Sequence, residues 1–382
     1  MIYLDHAATT PVRPEALAKM NEALQTYWGN PSSAHGPGFA ARDAVEHARF
    51  QVAKLLGAKA EDIVFTSGGT EADNLAVRGV AMARRDRGRH LITSAIEHSA
   101  VLNTCRDLKA EGFELTVLGV NPNGMIDLAE LEAALRPDTI LVSVMHANNE
   151  IGTIQPIEAI GALCHARDVL FHTDAVQTAG KLPLAFRDWP VDLMSVAGHK
   201  IYGPKGAGAL AIKPHVPIRA VITGGSHEQH RRAGTENVPS IVGFGGAAEL
   251  AFQELAAEYE REAQLGLKLR QGLLERIHGA RLNGDPVQRV LSNVNVTIPG
   301  VEGDALLVNL DLAGIAASAG SACRSQSGAS SHVLAAIGAD QDEVAGSLRL
   351  TVGRLTDEAQ VEHAVEAISQ IASRLQATES RV

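Results

Sequence analysis

From about residue 60 to residue 212, short runs rich in β-branched and apolar residues alternate with segments whose apolar positions recur at helical spacing. The short runs predict strands at 63–67, 90–95, 114–120, 139–147, 169–175, 192–197 and 208–212. The spaced segments predict amphipathic helices at 71–84, 99–111 and 156–167. Strand and helix repeated in this order imply a mostly parallel seven-stranded sheet with helices on both faces, an α/β architecture. Ligands of such sheets sit beyond the carboxyl ends of the strands.

A long helical stretch rich in Ala, Leu and Glu follows, from about 239 to 278, and past it the pattern changes. Strands are predicted at 294–298 and 315–317, and a closing helix at 357–375. That shift marks a smaller α+β domain. The expected division is a large domain over 15–255 and a small one formed by 1–14 with 256–382. The long helix crosses the boundary.

Composition narrows the class without choosing a function. The chain has 382 residues, 45% hydrophobic and 20% charged, with 36 Gly and 15 Pro, which excludes a disordered, collagenous or disulfide-stapled protein. A net charge of −10 with no basic tract argues against nucleic acid or an anionic membrane as the main partner. No apolar run reaches a transmembrane span, and the opening MIYLDHAATT lacks a signal-peptide layout. The cysteines Cys105, Cys164 and Cys323 are odd in number, far apart and without a CxxC spacing. A reduced, cytoplasmic protein with no metal site of its own is expected.

Three features at successive strand ends carry candidate chemistry. Thr66-Ser67-Gly68-Gly69-Thr70-Glu71 closes a strand and opens a helix. Glycines there let backbone N–H groups approach an anion, and the helix dipole favours phosphate. A tight turn with Thr70 as helix cap explains the same residues equally well. His172-Thr173-Asp174-Ala175-Val176-Gln177 ends a second strand. The third feature is Ser195-Val196-Ala197-Gly198-His199-Lys200, whose lysine among small residues suits an imine-forming amine. Singly, the Asp reads as a cap and the Lys as a surface charge. A phosphate cradle, then an acid, then a lysine 26 residues later fits pyridoxal 5′-phosphate, which needs all three. No GxGxxG precedes a ribose-binding acid, and no GxxxxGK[ST] is present, so nicotinamide and P-loop readings are weaker.

With these residues in place, the sequence closely resembles the cysteine desulfurases of the NifS/IscS type, class V aminotransferases among the fold-type I pyridoxal phosphate enzymes. The likeness runs over essentially the whole chain. It includes Tyr3-Leu4-Asp5-His6-Ala7-Ala8-Thr9-Thr10, Asn30-Pro31-Ser32-Ser33, Gly68-Gly69-Thr70-Glu71-Ala72-Asp73-Asn74 and Glu97-His98. It continues with Asn148-Asn149-Glu150-Ile151-Gly152, Arg232-Ala233-Gly234-Thr235-Glu236-Asn237, Ser318-Ala319-Gly320-Ser321-Ala322-Cys323 and Ser347-Leu348-Arg349.

The resemblance implies a role for each matching position. Lys200 would hold the cofactor and move protons, Asp174 would pair with its ring nitrogen, and His98 would stack on the ring and transfer protons. Asn149 and Gln177 would bind its phenolic oxygen. Gly69, Thr70 and His199 would bind its phosphate, with Thr235 reaching in from the neighbouring subunit of a homodimer. Arg349 would grip the substrate carboxylate. Cys323, on a loop of small residues, would take sulfur from L-cysteine as a persulfide and leave L-alanine. The sulfur would pass to an acceptor such as an iron–sulfur scaffold protein, with any cluster at Cys323 shared and transient. Cys105 and Cys164 suit buried hydrophobes.

Four departures matter. Ala197 stands where the family often has a serine that binds phosphate. Arg324 follows Cys323 in place of threonine and is expected to favour the thiolate. His227 replaces a common glutamine. The chain stops at Thr378-Glu379-Ser380-Arg381-Val382, short of the extended tail with which some IscS-type members dock a scaffold, so the acceptor stays open. Two rivals share the fold: a selenocysteine lyase, and a class V aminotransferase, which would not need Cys323. A sulfur-relay platform with vestigial catalysis would not have kept Lys200, Asp174, His98, Arg349 and Cys323 together.

Overall fold

The structure, a computed structural model, describes residues 1–319 and 331–379. Seven strands form the main sheet: β2 (Ile63–Thr66), β3 (His90–Ser94), β4 (Glu114–Leu118), β5 (Thr139–Ser143), β6 (Leu170–Asp174), β7 (Leu193–Ala197) and β8 (Gly208–Ile212). Their order across the sheet is β2-β8-β7-β6-β5-β3-β4, and β8 runs antiparallel to both of its neighbours. The reason is the length of its connection. A parallel crossover takes a dozen or more residues, whereas only residues 198–207 separate β7 from β8. The other six strands point the same way, so their carboxyl ends share one edge of the sheet.

Strands β5 to β7 are buried along their length because both faces are covered. Leu141, Leu170 and Leu193 pack into the core on the side of α3 (Gly69–Arg84) and α4 (Ser99–Ala110). Their neighbours Val142, Phe171 and Met194 pack into the opposite core with Val45 and Val52 of α2 (Gly36–Leu56). Period-two alternation sends successive side chains to opposite faces, so each face needs its own apolar layer. Gly57 ends α2 at φ 63°, and its N–H caps the helix against Ala53 and Lys54 carbonyls. A Cβ there would lie 2.8 Å from the Leu184 carbonyl oxygen, so glycine is required by conformation and by contact.

A separate core gathers Leu4, Val294, Val296, Leu348 and Leu350 with Val361, Val365 and Ile368 of the closing helix Glu358–Glu379. Its sheet is β12 (Ser347–Thr351), β10 (Asn293–Thr297) and β9 (Arg281–Leu282), all antiparallel. The chain's first strand, β1 (Ile2–Tyr3), pairs in parallel with β11 (Ile315–Ala316). Helix α7 (Val238–Arg276) is 39 residues long, roughly 58 Å at helical rise. It gives Ile241, Phe244 and Ala247 to the first core and Leu265, Leu269 and Leu273 to the second. Both sheets therefore hang on one rod. Among the described residues no helix is long and apolar enough to cross a membrane.

Candidate active site

Beyond the shared carboxyl edge lies a cavity of about 340 Å³. Gly69 and Thr70 follow β2, His98 follows β3, Asn149 follows β5, Asp174 and Gln177 end β6, and His199 and Lys200 follow β7; all line the cavity, as does Arg349 from β12. The co-directional strands thus collect residues up to 131 positions apart in sequence at one sheet edge.

Lys200 ends a single 3₁₀ turn that leaves β7. Its Nζ donates to the carbonyl oxygens of Ala7 at 2.5 Å and Ala8 at 2.7 Å. Burial lowers its pKa to about 7, helped by the positive charges of Lys181 and Arg349. The amine is therefore a competent nucleophile near neutral pH. Asp174 is 5% exposed and accepts one hydrogen bond, from the Val176 N–H at 2.9 Å. Burial raises its pKa, while His98, the Val176 N–H and Lys200 pull the other way. Asp73, missed by the sequence reading, sits one helical turn past Gly69 and also lines the cavity. Burial and the charge of Asp174 push it well above the usual carboxylate range. Its Oδ1 has no hydrogen-bond partner among the described residues.

Helix α3 begins at Gly69, with Gly68 rather than Thr70 in the capping position and no side-chain cap. Its positive end opens onto the cavity beside Gly69 and Thr70. A Cβ on Gly69 would lie 2.9 Å from Val176 Cγ2, so the wall closes tightly there. Ala197 lines the cavity with a methyl group where a hydroxyl would add a donor. His199 Nδ1 lies 3.1 Å from Thr9 Oγ1, and burial lowers its pKa to about 4, so it is a neutral imidazole.

His98 combines two readings that compete on sequence. It caps α4, its Nδ1 accepting from the Ala100 N–H at 3.2 Å, and it also lines the cavity. A backbone N–H can only donate, so the neutral ring carries its proton on Nε2. Burial lowers its pKa. His332, a second imidazole on the cavity wall, has no signal in the sequence pattern. Its Nε2 donates to the Glu97 carbonyl oxygen at 2.9 Å.

Arg349 is 2% exposed, the largest fully buried side chain among the described residues. Its Nη2 donates to Asp5 Oδ1 at 2.8 Å and its Nη1 to the Asn149 carbonyl at 3.1 Å. Its Nε is buried without a partner. A guanidinium carries five N–H groups, so its fork keeps donors free for a further acceptor. Gln177 Nε2 donates to the Ala7 carbonyl at 3.0 Å.

Thr235 lies apart from these residues. It lines a separate cavity of about 130 Å³ with Ser67, Gly206, Arg232 and Glu236. His227, the histidine in place of glutamine, accepts from the Gly234 N–H at 3.3 Å beside Thr235. Cys323 and Arg324 lie outside the described residues. Cys105 and Cys164 are free and buried, and burial raises both thiols, Cys105 to about 12, so neither is a nucleophile.

A carboxylate, a lowered-pKa amine and an uncapped helix N-terminus facing one cavity fit a molecule with a basic ring nitrogen, a carbonyl and a phosphate. The free donors of Arg349 fit a carboxylate beside it.

Comparison with known proteins finds relatives over nearly the whole chain. The model of the aminotransferase class-V family matches residues 2–363. Cysteine desulfurase IscS of Methanosarcina thermophila is 48% identical over 377 residues, covering 98% of this chain and 92% of that protein. A solved NifS-like protein superposes with a TM-score of 0.92 at 38% identity, covering 98% of this chain and 99% of the other. The structure of SspA in complex with cysteine gives a TM-score of 0.83 at 37% identity, over 92% of this chain and 99% of that one.

Proposed function

The chain belongs to the aminotransferase class-V family, and from that premise we propose that it is a pyridoxal 5′-phosphate-dependent L-cysteine desulfurase. It releases L-alanine and transfers the substrate sulfur to Cys323 as a persulfide. The observation that carries this reading is the meeting of Lys200, Asp174 and the half-free fork of Arg349 in one cavity. Pyridoxal phosphate, when bound, supplies an electron sink for bonds at the amino acid's α-carbon.

The chain's own residues do the rest. Lys200 holds the cofactor through its amine and afterwards carries protons at Nζ. Asp174 pairs with the ring nitrogen and keeps it protonated. His98, on the cavity wall, would hold the ring and offer it the Nε2 proton, since its Nδ1 is engaged at the helix cap. Asn149 and Gln177 hydrogen-bond the phenolic oxygen. Gly69, Thr70 and His199 hold the phosphate at the positive end of α3. Arg349 binds the substrate carboxylate through the N–H groups that Asp5 and Asn149 leave free.

We infer a homodimer in which Thr235 completes the phosphate site of the other subunit; its place in a separate cavity, outside the lining of its own chain's site, supports this. The division at about residue 255, with 1–14 joining the small domain, is supported by Leu4 in the second core and by the span of α7. Two buried free thiols support a reduced, cytoplasmic setting. An iron–sulfur scaffold or another thio-cofactor protein is the proposed sulfur acceptor.

The test is alanine and sulfide release from L-cysteine with dithiothreitol, Cys323→Ala beside the wild type. Equal amounts of both products that disappear in the variant, whose cofactor absorbance still shifts on adding substrate, support the reading. Bound cofactor without sulfide from the wild type would overturn it.

A further inference from the structure

Lys200 and Arg349 come from different sheets and different cores, yet an α-amino acid must meet both at once. One short piece of backbone, residues 5–10, touches each of them. Its Ala7 and Ala8 carbonyls accept from Lys200 Nζ, and its Asp5 carboxylate accepts from Arg349 Nη2 at 2.8 Å. The segment is fastened on both sides. Toward β12, Asp5 bridges Thr351 in parallel, the Ala7 N–H donates to Thr351 Oγ1 at 2.9 Å, and His6 Nδ1 donates to the Thr351 carbonyl at 2.9 Å. Toward β7, the Thr10 N–H and hydroxyl both donate to the His199 carbonyl at 2.9 Å. The spacing between amine and guanidinium is therefore set through this strap.

Within it, one side chain acts directly on the fork. Asp5 takes one Nη2 N–H and the Asn149 carbonyl takes one Nη1 N–H. The buried Nε–H and the second N–H of each Nη are left without a partner among the described residues. With two corners pinned, the guanidinium plane has one orientation, and Arg349, which lines the cavity, keeps unpaired N–H groups for an incoming carboxylate. Without Asp5, only the single bond to Asn149 would hold the plane.

We propose that Asp5 is a specificity-determining positioning residue: it orients Arg349 so that the site selects amines bearing an α-carboxylate over amines that lack one. Asp5 acts through Arg349 and touches no reacting atom. Its choice of substrate class rests on the desulfurase reading, but its effect on carboxylate binding does not.

The experiment titrates the bound cofactor's absorbance in the holoenzyme with L-alanine and with ethylamine, which differ only in the carboxylate. Neither carries sulfur, so no turnover to sulfide intervenes. In Asp5→Ala the dissociation constant for L-alanine rises by about tenfold or more, as expected for losing a charge-assisted bond, while that for ethylamine stays within twofold. Asp5→Asn keeps an acceptor oxygen and falls between wild type and Asp5→Ala for L-alanine. An unchanged L-alanine constant overturns the proposal. Parallel weakening of both ligands also overturns it, because that is the mark of a general structural role. Should Asp5→Ala not retain the cofactor, Asp5→Asn decides alone: about threefold for L-alanine with none for ethylamine supports the assignment, and equality with wild type refutes it. Absence of sulfide from L-cysteine in the wild type would sink the desulfurase reading and leave this measurement standing.

Discussion

The two sides of the cavity are built in contrasting ways. On one side, Asp174 and Lys200 stand at the ends of adjacent strands of a single sheet, and Gly69, His98 and Asn149 follow co-directional strands of the same sheet. Position there is inherited from strand register, and burial does the electrostatic work, lowering Lys200 and raising Asp174. On the other side, Arg349 comes from a second sheet and is oriented by a carboxylate 344 residues away in sequence. Its position depends on how the N-terminal strap ties two cores together. A cofactor that stays bound can use the rigid side, whereas a substrate that comes and goes is met by the assembled one. On the proposed reading, chemistry belongs to the first side and selection to the second.

Perturbing each side should therefore give different kinds of loss. Lys200→Ala removes the amine, and alanine formation should fall by at least about 10³-fold. Absorbance of the purified variant should show the cofactor no longer attached; a rate within tenfold of wild type would remove Lys200 from the chemistry. On the other side, Arg349→Lys keeps the charge and loses the fork. KM for L-cysteine should rise by roughly ten- to a hundredfold with a smaller change in kcat. An equal fall in kcat with KM unchanged would move Arg349 to the chemical side and break the contrast.

The burial of Lys200 makes a pH prediction for the apoenzyme. Below a pKa of about 7 the amine is an ammonium with no lone pair, and above it the neutral nucleophile prevails. The rate of cofactor uptake should rise about tenfold between pH 6 and pH 8 and then level. A rate still climbing steeply between pH 9 and pH 10 would mean that burial does not tune this lysine. The smallest effect is expected at Ala197, where serine would restore one donor to the phosphate. Ala197→Ser should tighten cofactor binding by roughly two- to tenfold, the equivalent of 0.5–1.5 kcal/mol, read by equilibrium titration of the apoenzyme. No change would indicate that water already supplies that bond.

The same division explains what was legible in the sequence. The sequence pattern located all seven strands of the main sheet within a few residues: double burial writes a continuous signal in β2, β3 and β5 to β8, whereas the part-exposed edge strand β4 shows only alternating apolar positions. The 139–147 run overshoots β5 because Val144, Met145 and Ala147 are buried without being strand. Helices α1 (Pro14–Thr26) and α2 left no element in the pattern, since their ends carry prolines and glycines that read as turns and many of their buried positions are alanine. Asp174, Lys200 and the Gly69–Thr70 turn could be reasoned from residues alone, because a strand end next to glycine or a small residue is a local feature.

Arg349 and His98 needed the family resemblance. Nothing local separates Arg349 from a surface ion pair, and its role depends on Asp5 and on a second sheet. His332 and Asp73 escaped because their place on the wall comes from how helices land around the cavity. Asp5 stood inside a quoted motif, but its partner is almost the whole chain away, and no spacing rule connects them.

The most direct test of the central claim is a single turnover without any thiol acceptor. Purified holoenzyme mixed with half an equivalent of L-cysteine per chain, so that no free thiol is left over, should release one L-alanine for each L-cysteine consumed, with one reductant-labile sulfur retained on Cys323 for each, and Cys323→Ala should release none. Alanine formed without a matching sulfur on Cys323, or alanine that survives in Cys323→Ala, would contradict sulfur transfer to Cys323.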